Sequence, residues 1–309
     1  MIDRLNKILK ESYAKLSDNK YNAIIESLLD IVLSNMIITR SANYKLAMPT
    51  KNSIEYSIDF INSISNKYGA IARNMFSSLE YYNIIYRTDI ESCVYNRNGH
   101  PKMDLFLGNT IEDSYTITHE LFHCINFGFT LNRNLITETI SLTAERLQQE
   151  YLKKIDIKEF QKRERNIFFE INQLAYIVDF ELKLIKYYLT YKTIDNDFLS
   201  RFINSRDRRY ARIIEEEIDE ILGYNNLRYG YYQRYIIAIV LSSLLVNLIN
   251  DNPENIKLFI GLNDNCNQFS FIESLEYLGL EVINKDIPIL SNDSLNILEK
   301  EYQKRLSKL

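Results

Sequence analysis

Residues 110–128, TIEDSYTITHELFHCINFG, decide how the chain is read. Thr110, with Asp113 three positions on, has the pattern of a capping box and places a helix from about Ile111 to Asn126, with Gly128 as its C-terminal stop. The protein contains three histidines, and two of them fall inside this helix as His119-Glu120-Leu121-Phe122-His123. At 100° per residue, positions 119, 120 and 123 share a roughly 100° arc of one helical face. Two imidazoles can therefore hold one ion while a carboxylate stands beside it. Leu121, Phe122 and Ile125 are left to anchor the helix in the core.

Neutral imidazoles suit zinc, and a catalytic zinc takes three protein ligands and leaves the fourth position to water. Glu120 is the expected general base, taking a proton from that water and handing it to a leaving amine. For the third ligand of one zinc per chain, the sequence offers a second helix, capped by Asn134 and running to about Leu152. Glu138 and Glu145 lie seven residues apart on one of its faces, with Ser141 between them. A turn over 127–134 and an antiparallel return favour Glu138 as the ligand. Glu145, two turns further on, is then expected to hydrogen-bond a ligand imidazole from behind. His100, in an Asn-Gly-His-Pro turn, is the alternative third ligand. Cys124 points 100° further round the helix than His123 and is expected to pack.

Outward from these helices, Asn96 to Pro101 is a dense turn signal, and Met103 to Leu107 reads as a short strand closed by Gly108 and Asn109. As a sheet edge it could receive an extended peptide. Residues 1–92 give helical periods with breaks at 17–20 and 47–52, hence a helical layer. Residues 93–155 hold the edge strand and zinc-site helices, and 156–309 a helical remainder. Within that remainder, Arg206 to Leu222 reads as a charge-laced helix and 253–309 as two or three short helices. Gly numbers 8 and Pro 4 in 309 residues, too few for the turns of a sandwich or barrel. The fold expected is mainly α, one domain over 1–309, with a small β-sheet beside the H-E-x-x-H helix.

A net charge of −4 gives no electrostatic footprint for nucleic acid. Cys93, Cys124 and Cys266 form no paired framework and suit a reducing, cytoplasmic setting. Met1 to Lys20 is amphipathic, with Leu5, Ile8, Leu9 and Leu16 on its apolar side and no secretion-type apolar stretch. Ile236 to Ile249 is apolar but interrupted by Ser242, Ser243 and Asn247, and falls short of the about 20 residues of a membrane span. It is expected as a buried core helix, and no membrane partner is expected.

Leu105 to Asp113 followed by Thr116 to His123 resembles the strand-to-active-helix passage of the oligoendopeptidase F and thimet oligopeptidase family. Glu138 to Glu145, continuing into Gln149-Glu150-Tyr151-Leu152, is similar to the family's Glu-x-x-Ser segment, which supplies its third zinc ligand. Asn43-Tyr44 to Met48, Asp89-Ile90 and the tyrosine-rich 229–235 follow in the family's order. Phe122 stands where the family usually has glycine, and no histidine precedes the tyrosine segment.

The likeness runs over roughly 37–250 and corresponds to the family's catalytic half. It implies a mainly helical zinc metallopeptidase that hydrolyses internal bonds of short or unstructured peptides. It also implies that a tyrosine of 229–235 stabilises the tetrahedral intermediate, Tyr231 first and Tyr235 second, with Tyr229 and Tyr232 open. One wall of the family's channel implies a more open cleft, which either tolerates longer substrates or is closed by a second copy or partner chain. Two other readings stay open. One is a zinc endoprotease with a single dedicated protein target, like the clostridial neurotoxin light chains, which share an H-E-L-x-H helix; the other is a peptide-binding relative without turnover.

Overall fold

The computed structural model describes residues 2–11, 20–37, 46–127, 135–153, 156–203, 231–284 and 286–309. Leu16, Asn43, Tyr44, Gly128, Asn134, Tyr229 and the segment 206–222 lie outside them. The N-terminal part consists of α1 (Ile2–Glu11), α2 (Asn22–Ser34), α3 (Thr50–Ile64) and α4 (Asn66–Met75). Three strands follow, β1 (Tyr82–Tyr86), β2 (Cys93–Arg97) and β3 (His100–Leu107), and then α5 (Glu112–Ile125) and α6 (Thr137–Leu152). The remainder holds α7 (Ile157–Tyr191), α8 (Asn196–Ile203), α9 (Gln233–Asp251), α10 (Ile256–Asn265) and α11 (Phe271–Tyr277). A ribbon of β4 (Val282–Ile283) and β5 (Ile289–Leu290) leads into α12 (Asn292–Leu306).

α9 is apolar on every side, and a helix of that kind belongs in a core. Ile236 to Leu241 are fully buried, and the helix packs against α2, α6, α7 and α12. By length and composition α9 could cross a membrane, but 72% of its apolar window is buried inside the molecule. Its polar residues have partners there: Arg146 Nη1 donates to Ser242 Oγ and Ser243 Oγ at 3.0 and 2.9 Å, and Asn247 Nδ2 to the Glu301 carbonyl at 2.9 Å.

Arg146 belongs to a buried charge cluster that locks α6 to α7 and α12. Glu164 accepts from Arg146 Nη2 at 3.1 Å and from Arg305 Nε and Nη2 at 2.9 and 2.6 Å, while Arg305 Nη1 also reaches Glu150. Burial pushes the Glu164 carboxyl up, but Arg146 and Arg305 together bring it down to about 2. Two faces of α6 thus do different work: this one fixes the helix, and a neighbouring one meets α5.

The sheet corrects two sequence expectations. Its strand order is β1-β3-β2, with β1 parallel and β2 antiparallel to β3. Met103 to Leu107 is therefore the central strand, not an edge, and the edge on the α5 side is β2. β1 is a strand inside what reads as a helical layer over 1–92. Asn98 and Gly99, with φ of 54° and 87°, form the two-residue turn between β2 and β3, where only residues tolerant of positive φ fit.

At the head of α5 the expected capping box does not form, because no side chain caps the helix. Asp113 Oδ1 instead accepts from the Gly108 amide at 3.0 Å, and Thr110 pairs with Ala47 across a short bridge. The carboxylate is drawn to the tight strand-to-helix corner, whose own amide is the nearer donor. The tail holds the helices expected over 253–309, α10 and α11 being short and α12 longer at 15 residues, and adds the β4–β5 ribbon. The capping box of α11, Ser270 with Glu273, is in place.

Candidate metal centre

α5 buries Leu121 and Phe122 completely, with Phe122 ringed by Tyr68 and Phe259 at centroid distances of 5.9 and 5.3 Å. An aromatic residue at this place fills the gap between α4 and α10. The opposite arc of α5 presents His119, Glu120 and His123 to a cleft. α6 returns alongside, since His119 meets Glu145 while His123, one turn on, meets Ser141.

His119 Nε2, His123 Nε2 and Glu138 Oε2 form a triangle with edges of 3.1, 3.3 and 3.5 Å. Zinc–nitrogen bonds of about 2.0–2.1 Å in a tetrahedron require edges of about 3.3–3.4 Å between ligand atoms. The three side chains therefore stand at the spacing of one tetrahedral face. Glu138 Oε2 is buried with no hydrogen-bond partner, an orphaned acceptor pointing at two ring nitrogens. Such an atom is costly to bury unless a cation or proton satisfies it.

The outer nitrogens are also accounted for. His119 Nδ1 lies 3.2 Å from Glu145 Oε2 and His123 Nδ1 lies 3.3 Å from Ser141 Oγ. With the protons on Nδ1, both rings donate to these acceptors and keep the Nε2 lone pairs for an ion. Glu145 is itself held: its other oxygen pairs with Arg163, which reaches Glu112 at 3.1 Å and lies 3.9 Å from the Tyr115 ring centroid. Ser141 and Arg163 are site residues to which sequence reasoning gives no role; the i, i+3 spacing from Glu138 is the signal for Ser141.

Electrostatics separates the carboxylates. Burial pushes the Glu120 carboxyl up, against the pull of His119 and His123. Burial works in the same direction on Glu138, but His123 and His119 overcome it and hold the group well below the usual carboxylate range. Burial opposes a charge on His119, while Glu138 and Glu145 raise it well above its ordinary value. The cluster thus calls for positive charge, which among protein groups alone is a proton and which a divalent cation would displace.

Glu120, 6% exposed, lies between two connected hollows. One, of about 290 Å³, is lined by Cys93, Val94, His119, His123, Glu138, Tyr231, Arg234 and Tyr235. The other, of about 410 Å³, carries Glu91, Glu112, Asp113, Glu145 and Glu170. Both are lined by Glu91, Ser92, His119, Glu120 and Tyr235, so they form one groove past the triangle. β2 runs along it. Asn96 pairs with Pro101, which has no amide hydrogen, so Asn96 and Val94 turn their backbone N–H and C=O away from β3.

Tyr231 and Tyr235 both line the smaller hollow and meet at 5.9 Å between centroids. Burial raises the Tyr235 hydroxyl and Glu138 raises it further, so it stays a proton donor. Tyr232 packs on the core instead, and Tyr229 lies outside the described residues. His100 lines a separate hollow at the β2–β3 turn with Arg97 and Lys102, away from the histidine pair. Cys124 is buried, and Cys93, the thiol in the groove, is exposed.

No family model and no curated protein matches the chain. Solved structures do match in shape. Over 97% of its length the chain superposes on a presumptive oligoendopeptidase F of Bacillus anthracis, with a TM-score of 0.65 and 12% identity. The fold is the same. Over 99% of its length it also matches a presumptive peptidase of Chlamydophila abortus, with a TM-score of 0.56 and 14% identity. The oligoendopeptidase resemblance read from the sequence thus returns at the level of fold. The chain spans 59% and 55% of the length of these two proteins.

Proposed function

We propose that the protein is a zinc-dependent endopeptidase acting on short or unstructured peptides. The observation that supports this best is the triangle of His119, His123 and Glu138, set at tetrahedral spacing with Glu120 beside it and a groove running past it. The oligoendopeptidase fold supports the same reading. Zinc, when bound, supplies an acidified water and polarises the carbonyl under attack.

The chain's own groups supply the rest. Val94 and Asn96 offer backbone partners to an extended substrate and bring its scissile carbonyl to the triangle. Glu120 takes the proton that water loses as its oxygen bonds to the carbonyl carbon. It then delivers that proton to the nitrogen as the C–N bond breaks. Tyr231 and Tyr235 donate to the oxygen on which negative charge develops. Glu145 and Ser141 orient the two imidazoles. The free thiols suit a cytoplasmic setting.

Elemental analysis of the purified chain tests the metal. About one zinc per chain is expected, lost in a His119→Ala, His123→Ala double variant; full zinc in that variant would mean that the ligands lie elsewhere.

A further inference from the structure

The proposed reaction gives no role to a guanidinium of the cleft wall. Arg234, in the first turn of α9, places Nη1 3.2 Å from Glu138 Oε1. Its guanidinium carbon lies 4.1 Å from the Tyr231 ring centroid and 5.3 Å from that of Tyr235. The two oxygens of Glu138 are therefore divided. Oε1 faces the guanidinium, and Oε2 faces the two imidazole nitrogens at 3.3 and 3.5 Å.

A carboxylate can ligate a small divalent cation through one oxygen or through both. Engaging both raises the coordination number and crowds the position that water needs. An ion pair on one oxygen opposes that option, because it favours the carboxylate rotation that keeps this oxygen on the guanidinium and leaves the other to the imidazoles. We propose that Arg234 is a positioning residue that keeps Glu138 a one-oxygen ligand, holding Oε1 back so that Oε2 alone completes the triangle with His119 and His123. This rests on the zinc reading above. Stacking on two tyrosine rings suits a planar guanidinium and not an ammonium, which explains the residue type. It also ties the orientation of the third ligand to the two phenols.

The experiment uses the full chain and its Arg234→Ala, Arg234→Gln and Arg234→Lys variants. Zinc affinity is measured by chelator competition, and coordination number by visible absorption of the cobalt(II)-substituted protein, whose d–d bands are intense with four ligands and weaker with five. The parent protein should give the four-coordinate spectrum. Arg234→Ala should bind zinc about 10- to 100-fold more weakly, as loss of a ligand's supporting partner does, and move the cobalt bands to the five-coordinate pattern. Arg234→Lys should recover part of the affinity, since an ammonium can still face Oε1. If Arg234→Ala does not fold, the near-isosteric Arg234→Gln carries the test. A folded Ala or Gln variant with parental affinity and unchanged cobalt bands overturns the assignment while leaving the zinc site standing. A parent protein that takes up neither ion overturns both.

Discussion

Glu120 and Glu138 share one cluster, yet their surroundings push their carboxyls in opposite directions. Burial raises the Glu120 carboxyl, as the proposed base needs, whereas the two imidazoles keep Glu138 ionised, as the proposed ligand must be. Glu120→Gln should accordingly keep its zinc and lose nearly all hydrolysis, which metal analysis beside a turnover assay would check. Glu138→Ala should strip the zinc, while Glu145→Ala or Ser141→Ala should lower affinity only about 10- to 100-fold. A reversed ranking by chelator competition would move the third ligand to Glu145. Tyr231→Phe or Tyr235→Phe should cost about 10²- to 10³-fold in kcat with zinc content and KM little changed. If neither variant loses even tenfold, the phenols have no part in stabilising the oxyanion. At this scale the sequence was readable where rare residues stand at helical spacing, as with His119, Glu120 and His123. Arg234 was not readable, because a guanidinium's target depends on where another helix brings its carboxylate.

Among the elements, α6 matters most, since one face carries the proposed ligand Glu138 and another is pinned by Arg146, Glu164 and Arg305. Removing the shared carboxylate leaves the buried Arg146 without a counter-ion and Arg305 with Glu150 alone, so Glu164→Ala should destabilise the fold by about 3–5 kcal/mol in denaturant titration. A loss below about 1 kcal/mol would mean that water reaches the cluster, as at exposed pairs. The pH dependence has a definite sign. Glu164 sits at about 2 in the fold against 4.5 ordinarily, so its contribution is present above pH 4.5 and is lost as pH falls toward 2. Glu164→Gln should flatten the decline of stability across that window. α9 was legible from its composition, being apolar on all sides. β1 and the central place of β3 were not, because Tyr82 to Tyr86 is short and its strand character comes from pairing with a partner about 20 residues away. Taking β3 as the edge followed from the absence of any signal for β2, whose Cys93 to Arg97 merges into the turn residues.

For the whole molecule, the groove has an acidic half and a half lined by tyrosines and Arg234. Burial, with Glu145, Glu112 and Glu91 nearby, pushes Glu170 in the acidic half up to about 7, despite Arg163. Peptides that place Lys or Arg there should be cut with higher kcat/KM than those placing Glu, and the preference should shrink as salt is raised. Equal rates for both would mean that substrate does not enter that half. The chain spans little more than half the length of its structural neighbours. The measurement that bears most directly on the central claim is digestion of a mixed peptide library by the zinc-loaded chain, read by mass spectrometry beside Glu120→Gln. Internal cleavage by the parent protein and none by the variant is the predicted result; no cleavage by the zinc-loaded parent, or equal cleavage by both, would contradict it.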